Sequence, residues 1–234
     1  LAAGRAAQDL ARRLGLKLRI AVVTGDDITA QVGPSTWLPE IGRNVAEHGQ
    51  RVMGANAYLG IDALWPALDE SPDIVITGRV ADPSLFLAPL AHRLGWARDD
   101  WARLGAGTAV GHLLECTTQV TGGYFADPPH KTVPRIAHLG FPLAEVADDG
   151  SAVITKLDGT GGLVSELTVK EQLLYEVHDP AAYLTPDVAA DFSTARLALA
   201  GPDRVAVSGV GGRQRPARLK AIVGFDGGFL AEGE

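Results

Sequence analysis

Arg79 and Asp82 stand three residues apart in Thr77-Gly78-Arg79-Val80-Ala81-Asp82-Pro83, directly after the β-branched run Ile74-Val75-Ile76. An arginine at such a turn suits the oxygen pair of a carboxylate or phosphate, because its planar fork donates two parallel hydrogen bonds. Asp82 would orient that arginine, or the two charges would simply pin the turn. His112, Glu115 and Cys116 lie at i, i+3 and i+4 and share one face of a helix. A His–Cys pair can generate a thiolate and a His–Glu pair can move a proton; the same residues would also make a buried thiol beside a hydrogen-bonded histidine. Asp26 and Asp27 follow Gly25. They could hold a divalent cation, accept sugar hydroxyls or cap the next turn. Asp158-Gly159-Thr160-Gly161-Gly162, flanked by Lys156 and Lys170, could bring backbone N–H groups against a phosphate or serve only as a tight turn.

These groups need strands and helices to aim them. Lys17–Thr24, Val52–Ala55 and Asp73–Thr77 read as aliphatic strands, and helices are expected over Ala2–Leu14, Ile61–Glu70 and Pro83–Leu94. Pro83 suits a first helical turn, where its missing N–H costs nothing. Strands spaced by helices of about ten residues imply βαβ units and a parallel sheet. The turns carrying Asp26, Asp27, Asn56, Tyr58, Arg79 and Asp82 would then face one crevice at the carboxyl ends of the strands. Asp99–Gln119 reads as a longer helix capped by Asp99 or Asp100, with Gly105 and Gly107 threatening its continuity. From about Gly123 prolines multiply. Phe141–Val146 and Ser151–Leu157 form a strand pair around Asp148-Asp149-Gly150, and Thr168–Val177 a short helix. Asp203–Val210 and Arg218–Gly224 alternate like antiparallel strands, with Gly209–Arg213 a loop between them. The expected fold class is α/β: a Rossmann-like parallel-sheet layer over 1–127, then a mixed, more β-rich region over 128–234.

The bulk properties narrow the function. The 234 residues are 46% hydrophobic and 21% charged, enough for a real core. A net charge of −7, with no basic cluster beyond Arg213–Lys220, argues against nucleic acid. The single Cys116 excludes an internal disulfide and suits a reducing cytoplasm. No apolar run reaches the roughly 18 residues of a membrane span. There is no Gly-x-Gly-x-x-Gly between strand and helix, no P-loop ending and no Gly-x-Ser-x-Gly elbow. One cysteine without a second clustered histidine is no zinc signature. His130, His138 and His178 read as ordinary loop histidines.

Several of these motifs resemble signatures of the acyclic terpene utilisation (AtuA-type) family. They are Thr77–Pro83, Ala55-Asn56-Ala57-Tyr58-Leu59-Gly60 and Gly111-His112-Leu113-Leu114-Glu115-Cys116, with Gly122-Gly123-Tyr124-Phe125, Asp158–Gly162 and Gly227–Glu234. The resemblance runs from the Thr24–Asp27 turn to the last residue. It implies bacterial breakdown of branched isoprenoids such as citronellol and geraniol through acyl-CoA intermediates. It also implies missing chain at both ends, since family members carry a strand–turn region ahead of Leu1 and continue beyond Glu234.

The expectation is a cytoplasmic enzyme performing acid–base chemistry on an acyl thioester: hydration, dehydration or cleavage next to a carbonyl. Its catalytic set is Arg79, Asp82, His112, Glu115 and Cys116. Its ligand-binding set is Asp26, Asp27, Asn56, Tyr58, Gly78 and Asp158–Gly162, the last meeting CoA phosphates. No redox cofactor is expected; a CoA thioester is the expected ligand, and Asp26 with Asp27 the weak candidates for a divalent metal. The partners are a small-molecule substrate and a second copy of the chain, because exposed sheet edges favour self-association, but neither nucleic acid nor membrane. Two other readings stand beside it: a non-catalytic acyl-CoA-binding or scaffolding subunit, and a metal-dependent hydrolase. An enzyme should gather Asp27, Asn56, Arg79 and Glu115 in a deep pocket, whereas a scaffold should expose a broad apolar patch.

Overall fold

The computed structural model describes residues 1–229, so the Leu230–Glu234 part of the C-terminal motif lies outside the described residues. The helices are α1 (Ala2–Arg13), α2 (Val45–His48), α3 (Ile61–Asp69), α4 (Ser84–Leu94), α5 (Trp101–Glu115) and α6 (Glu166–Leu174). The first strands are β1 (Ile20–Val23), β2 (Trp37–Leu38), β3 (Arg43–Asn44), β4 (Val52–Ala57) and β5 (Ile74–Thr77). The later ones are β6 (Pro142–Val146), β7 (Ala152–Lys156), β8 (Tyr183–Leu184), β9 (Ala189–Asp191), β10 (Arg196–Gly201), β11 (Arg204–Ser208), β12 (Gly211–Arg213) and β13 (Ala221–Phe225). The protein is mixed α/β with small sheets. No helix among the described residues is long and apolar enough to cross a membrane.

The chain divides into two compact units. The first holds Leu1–Leu59, Glu70–Val80 and the stretch from Leu219; the second holds Gly60–Asp69 and Ala81–Arg218. In the first, β1 and β5 pair in parallel, Ile20 opposite Ile74 through Val23 opposite Thr77. Asp73 fixes the entry to that pair by accepting the Arg19 N–H at 2.7 Å, so β1 starts at Ile20 instead of Lys17. β4 does not extend a parallel layer. It pairs antiparallel with β13, Ala57 opposite Ala221, and the single Leu59–Val80 bridge is the one further parallel contact of this unit among the described residues. A Rossmann-like layer therefore does not follow from these pairings: the β4 edge is taken by a strand more than 160 residues away in sequence.

The second unit contains the tightly packed core. Helix α5 is buried along most of its length, from Leu104 and Gly105 through Thr108 to His112 and Leu113. Asp100 caps it, Oδ1 accepting the Arg103 N–H at 3.2 Å. The glycines expected to interrupt this helix instead let neighbours close on it. A Cβ on Gly105 would strike the Gly211 carbonyl, and one on Gly107 would lie 2.6 Å from Cδ1 of Leu87. Helix α5 is thus continuous from Trp101 to Glu115, and the expected Gln119 end is a separate 3₁₀ turn over Thr117–Gln119.

Beside it lies the antiparallel sheet β10–β11–β7–β6. Its β6–β7 hairpin turns at Asp148-Asp149-Gly150 as expected, with Asp149 Oδ1 accepting the Ser151 N–H at 2.9 Å and Gly150 at φ +85°. The segment expected as a loop over Gly209–Arg213 instead contributes β12, paired antiparallel with β9. Gly212 makes that possible by lying where any side chain would meet the Trp101 carbonyl.

Candidate functional site

In the first unit Asp26 is the hub of a small polar cluster. Its Oδ2 accepts the Arg79 backbone N–H at 2.7 Å and the Asn56 side-chain amide at 2.9 Å. Gly78 is required beside it, because a Cβ there would run into the Asp26 carboxylate. Asp27 faces elsewhere and caps the following turn: its Oδ1 accepts from the Thr29 N–H at 2.9 Å and the Thr29 hydroxyl at 2.7 Å, which holds its carboxyl below the usual range. Both carboxylates are thus occupied by donors of the chain itself. With its backbone fixed, Arg79 lays its guanidinium 5.2 Å from the centroid of the Tyr58 ring. The Lys220 ammonium stands 5.0 Å from the same centroid. Neither cation has a carboxylate within ion-pair distance among the described residues. The structure therefore brings Asp26, Asn56, Tyr58, Gly78 and Arg79 together and adds Lys220.

In the second unit the last turn of α5 carries His112 and Glu115 at i, i+3, and Cys116 is its C-cap. His112 is 2% exposed. Its ring lies 5.1 Å from that of Tyr183 and 5.8 Å from that of Phe192. Neither of its nitrogens has a hydrogen-bond partner among the described residues, and the closest carboxylate oxygen, Glu115 Oε1, stands 4.0 Å from Nδ1. Burial in this aromatic wall pushes the imidazole pKa down, toward the neutral form.

Glu115 is the outward member, its side chain 19% exposed. Burial raises its pKa, and the negative charges of Asp82 and Glu176 add to the rise. The Cys116 thiol donates to Glu115 Oε1 at 3.0 Å; burial and that contact push its pKa up to about 12. A thiol so placed is a hydrogen-bond donor at neutral pH and no thiolate. Asp82 is exposed just ahead of α4 in this unit and enters the cluster through its charge. Gln172 closes the inner side, its amide donating to the His112 carbonyl at 3.1 Å.

The glycine-rich loop follows β7. The N–H groups of Gly161, Gly162 and Leu163 donate to the carbonyls of His138, Pro134 and Thr121 at 2.7, 2.8 and 2.9 Å. Arg135 donates to the Gly159 carbonyl at 2.9 Å. Lys156 is buried against Asp203 at 3.0 Å and points no charge outward. The loop is knitted into its own unit by these bonds. Among the described residues no group of three or more His, Cys, Asp or Glu side chains is placed to hold a metal ion.

Sequence spacing could not have found Tyr183, Phe192, Gln172 or Glu176, which reach His112 and Glu115 from 60 to 80 residues downstream. Lys220 did leave a trace, as the end of the single basic stretch, Arg213–Lys220.

No curated protein and no solved structure gives a significant match to the chain. The model of the acyclic terpene utilisation family protein AtuA matches residues 1–234, the whole length, including the turns and the α5 motif just described. The chain belongs to the acyclic terpene utilisation family AtuA.

Proposed function

We propose that this protein is a cytoplasmic enzyme of acyclic terpene utilisation that performs acid–base chemistry on a branched acyl thioester, with Glu115 as the group that meets the substrate. The observation that carries the proposal is a part-exposed carboxyl, its pKa raised, 4.0 Å from the ring of a buried histidine whose nitrogens make no well-formed hydrogen bond among the described residues. An unpartnered buried imidazole costs free energy, so its retention calls for an explanation. A carboxyl with a raised pKa holds a proton more readily than a free one and can deliver it, while a neutral imidazole behind it can take one up. The roles divide accordingly. Glu115 gives a proton to, or removes one from, the carbon chain next to the thioester carbonyl. His112 sits behind Glu115 and holds the second protonation state. Cys116 donates a hydrogen bond that fixes the Glu115 rotamer.

The test is deuterium incorporation from D₂O into branched ten-carbon acyl-CoAs, read by mass spectrometry. The expected result is catalysed exchange or hydration by the protein. Glu115→Gln should lose about 10²- to 10⁴-fold, the usual worth of a positioned acid or base. His112→Gln should shift the pH profile of the residual activity. Wild-type rates in Glu115→Gln, with the fold intact by circular dichroism, would remove the carboxyl from the mechanism. Binding of the thioesters without any exchange or turnover would favour a carrier or scaffolding subunit.

A further inference from the structure

Strand β13 is the open edge of its sheet: β4 holds one side of it, and no strand among the described residues holds the other. The bonds at its two ends fix which groups face outward. The Lys220 carbonyl accepts the Tyr58 N–H at 2.8 Å, and the Asp226 N–H donates to the Arg51 carbonyl at 2.9 Å. Residues alternate along an antiparallel pair, so Lys220, Ile222, Gly224 and Asp226 turn their backbone groups toward β4. Ala221 and Val223 turn theirs away, where no backbone partner meets them among the described residues. No charged side chain, the common device that blunts such an edge, interrupts Ala221–Phe225.

A groove of about 670 Å³ runs against this strand. Ala221, Ile222 and Val223 line it in succession. Successive side chains point to opposite faces, so the groove reaches the backbone edge of the strand and not one face alone. Trp37 and Ile41 line it from β2 and the turn after it, and it is open to water: Trp37 is 57% exposed and Ile222 is 49% exposed. The charges stand at the two ends of the strand. Lys220 precedes it and has no carboxylate within ion-pair distance among the described residues. Asp226 follows it, exposed and held only by Arg51 at 3.5 Å.

We propose that β13 pairs antiparallel with β13 of a second copy of the chain, about a two-fold axis at Ile222. That register sets Ala221 opposite the second copy's Val223 and Val223 opposite its Ala221, so the outward N–H and C=O groups of each find one another. Ile222 meets Ile222 across the axis as a non-hydrogen-bonded pair, the kind with the closest side chains, and both leave water. The charges choose the direction. Antiparallel pairing brings Lys220 diagonally across from Asp226 of the second copy at both ends, within reach of a long side chain. Parallel pairing would lay Lys220 against Lys220. The arriving strand enters the groove and shields Trp37 and Ile41, which a two-fold contact does once on each copy. The assignment stands apart from the proton-transfer reading, because every residue it uses lies in the first unit.

Sedimentation equilibrium of the full chain over a concentration series tests it, and the wild type should be a dimer. Ala221→Pro removes an outward N–H that β4 does not use, so it should give a monomer with the wild-type circular dichroism. Ile222→Asp sets like charges face to face at the axis and should do the same. Lys220→Glu should weaken association about tenfold, and adding Asp226→Lys to it should restore the dimer. A wild type that stays monomeric throughout would overturn the proposal, as would a dimer that survives both Ala221→Pro and Ile222→Asp. Loss of the dimer in Ile222→Asp alone would replace strand pairing by a side-chain contact in the groove. A charge swap no better than Lys220→Glu would overturn the antiparallel register.

Discussion

The two units hold their functional groups in opposite ways. Among the described residues the twelve largest fully buried side chains, from Ile61 and Leu87 to Val205, all belong to the second unit, and His112 and Gln172 are among them. The first unit has none of these and exposes Trp37, Ile41, Met53, Leu219 and Ile222. In the second unit packing does the positioning: His112 is held against the Tyr183 and Phe192 rings, with the backbone of Gln172, Leu173 and Tyr175 beside it. In the first unit hydrogen bonds do it, with one carboxylate of Asp26 tying β4 to the turn after β5. Packing tunes protonation through desolvation, whereas a hydrogen-bonded hub fixes backbone while leaving its charged side chains at the surface. The role proposed for each unit follows that division.

The contrast breaks most visibly under truncation of apolar side chains. Leu113 of α5 is fully buried, and Leu113→Ala should cost about 3 kcal/mol, the lost transfer free energy plus the cavity left behind. Met53 of β4 is 59% exposed, and Met53→Ala should stay within about 0.5 kcal/mol. Urea denaturation of the two variants measures the difference. Comparable losses at the two positions would show that the first unit has a packed interior after all.

A smaller effect tests the hub. Gly78→Ala forces the Asp26 carboxylate aside and should cost about 1–2 kcal/mol, the worth of hydrogen bonds to a charged group. Because the clash is with that side chain, the penalty should nearly vanish in an Asp26→Ala background. A double-mutant cycle with no coupling between the two sites would mean that Gly78 serves some other purpose.

How much of this was legible beforehand follows from the same contrast. Local signals held where local physics decides. The β5 run, the α3 and α4 helices, the Asp148–Gly150 hairpin and the shared face of His112 and Glu115 all came from periodicity and turn chemistry. Signals failed where distant chain competes. Nothing near Val52 says that its edge will be claimed by Ala221–Phe225, and so a parallel layer was the natural expectation. Gly105 and Gly107 read as helix breakers because their reason, other parts of the chain pressed against α5, is invisible in the helix itself. For the site, the α5 motif and the strand-end turns were readable, but the aromatic wall around His112 was not. Tyr183 lies in the two-residue strand β8 and Phe192 directly follows β9, and neither carries a motif of its own.

The smallest expected effect is the most specific to the second unit, because it reads the buried imidazole directly. His112 has its pKa pushed below the ordinary 6.5, so the folded chain resists a proton that the unfolded chain accepts. Stability from this group is whole above pH 6.5 and falls as the pH drops below it, by at most about 1.4 kcal/mol per pH unit. Glu115 acts with the opposite sign. Its pKa is raised above 4.5, so its contribution is whole below pH 4.5 and is lost as the pH rises through the folded value. Asp82, Glu176 and the Cys116 thiol face the same pair and stay in place in every variant. The difference in unfolding free energy between wild type and His112→Gln, measured at pH 7.5 and again at pH 5.5, isolates the histidine. The wild type should lose ground to the variant on going to pH 5.5. A difference that stays constant between the two pH values would mean that His112 is protonated as easily folded as unfolded, and that water or an acid reaches its ring.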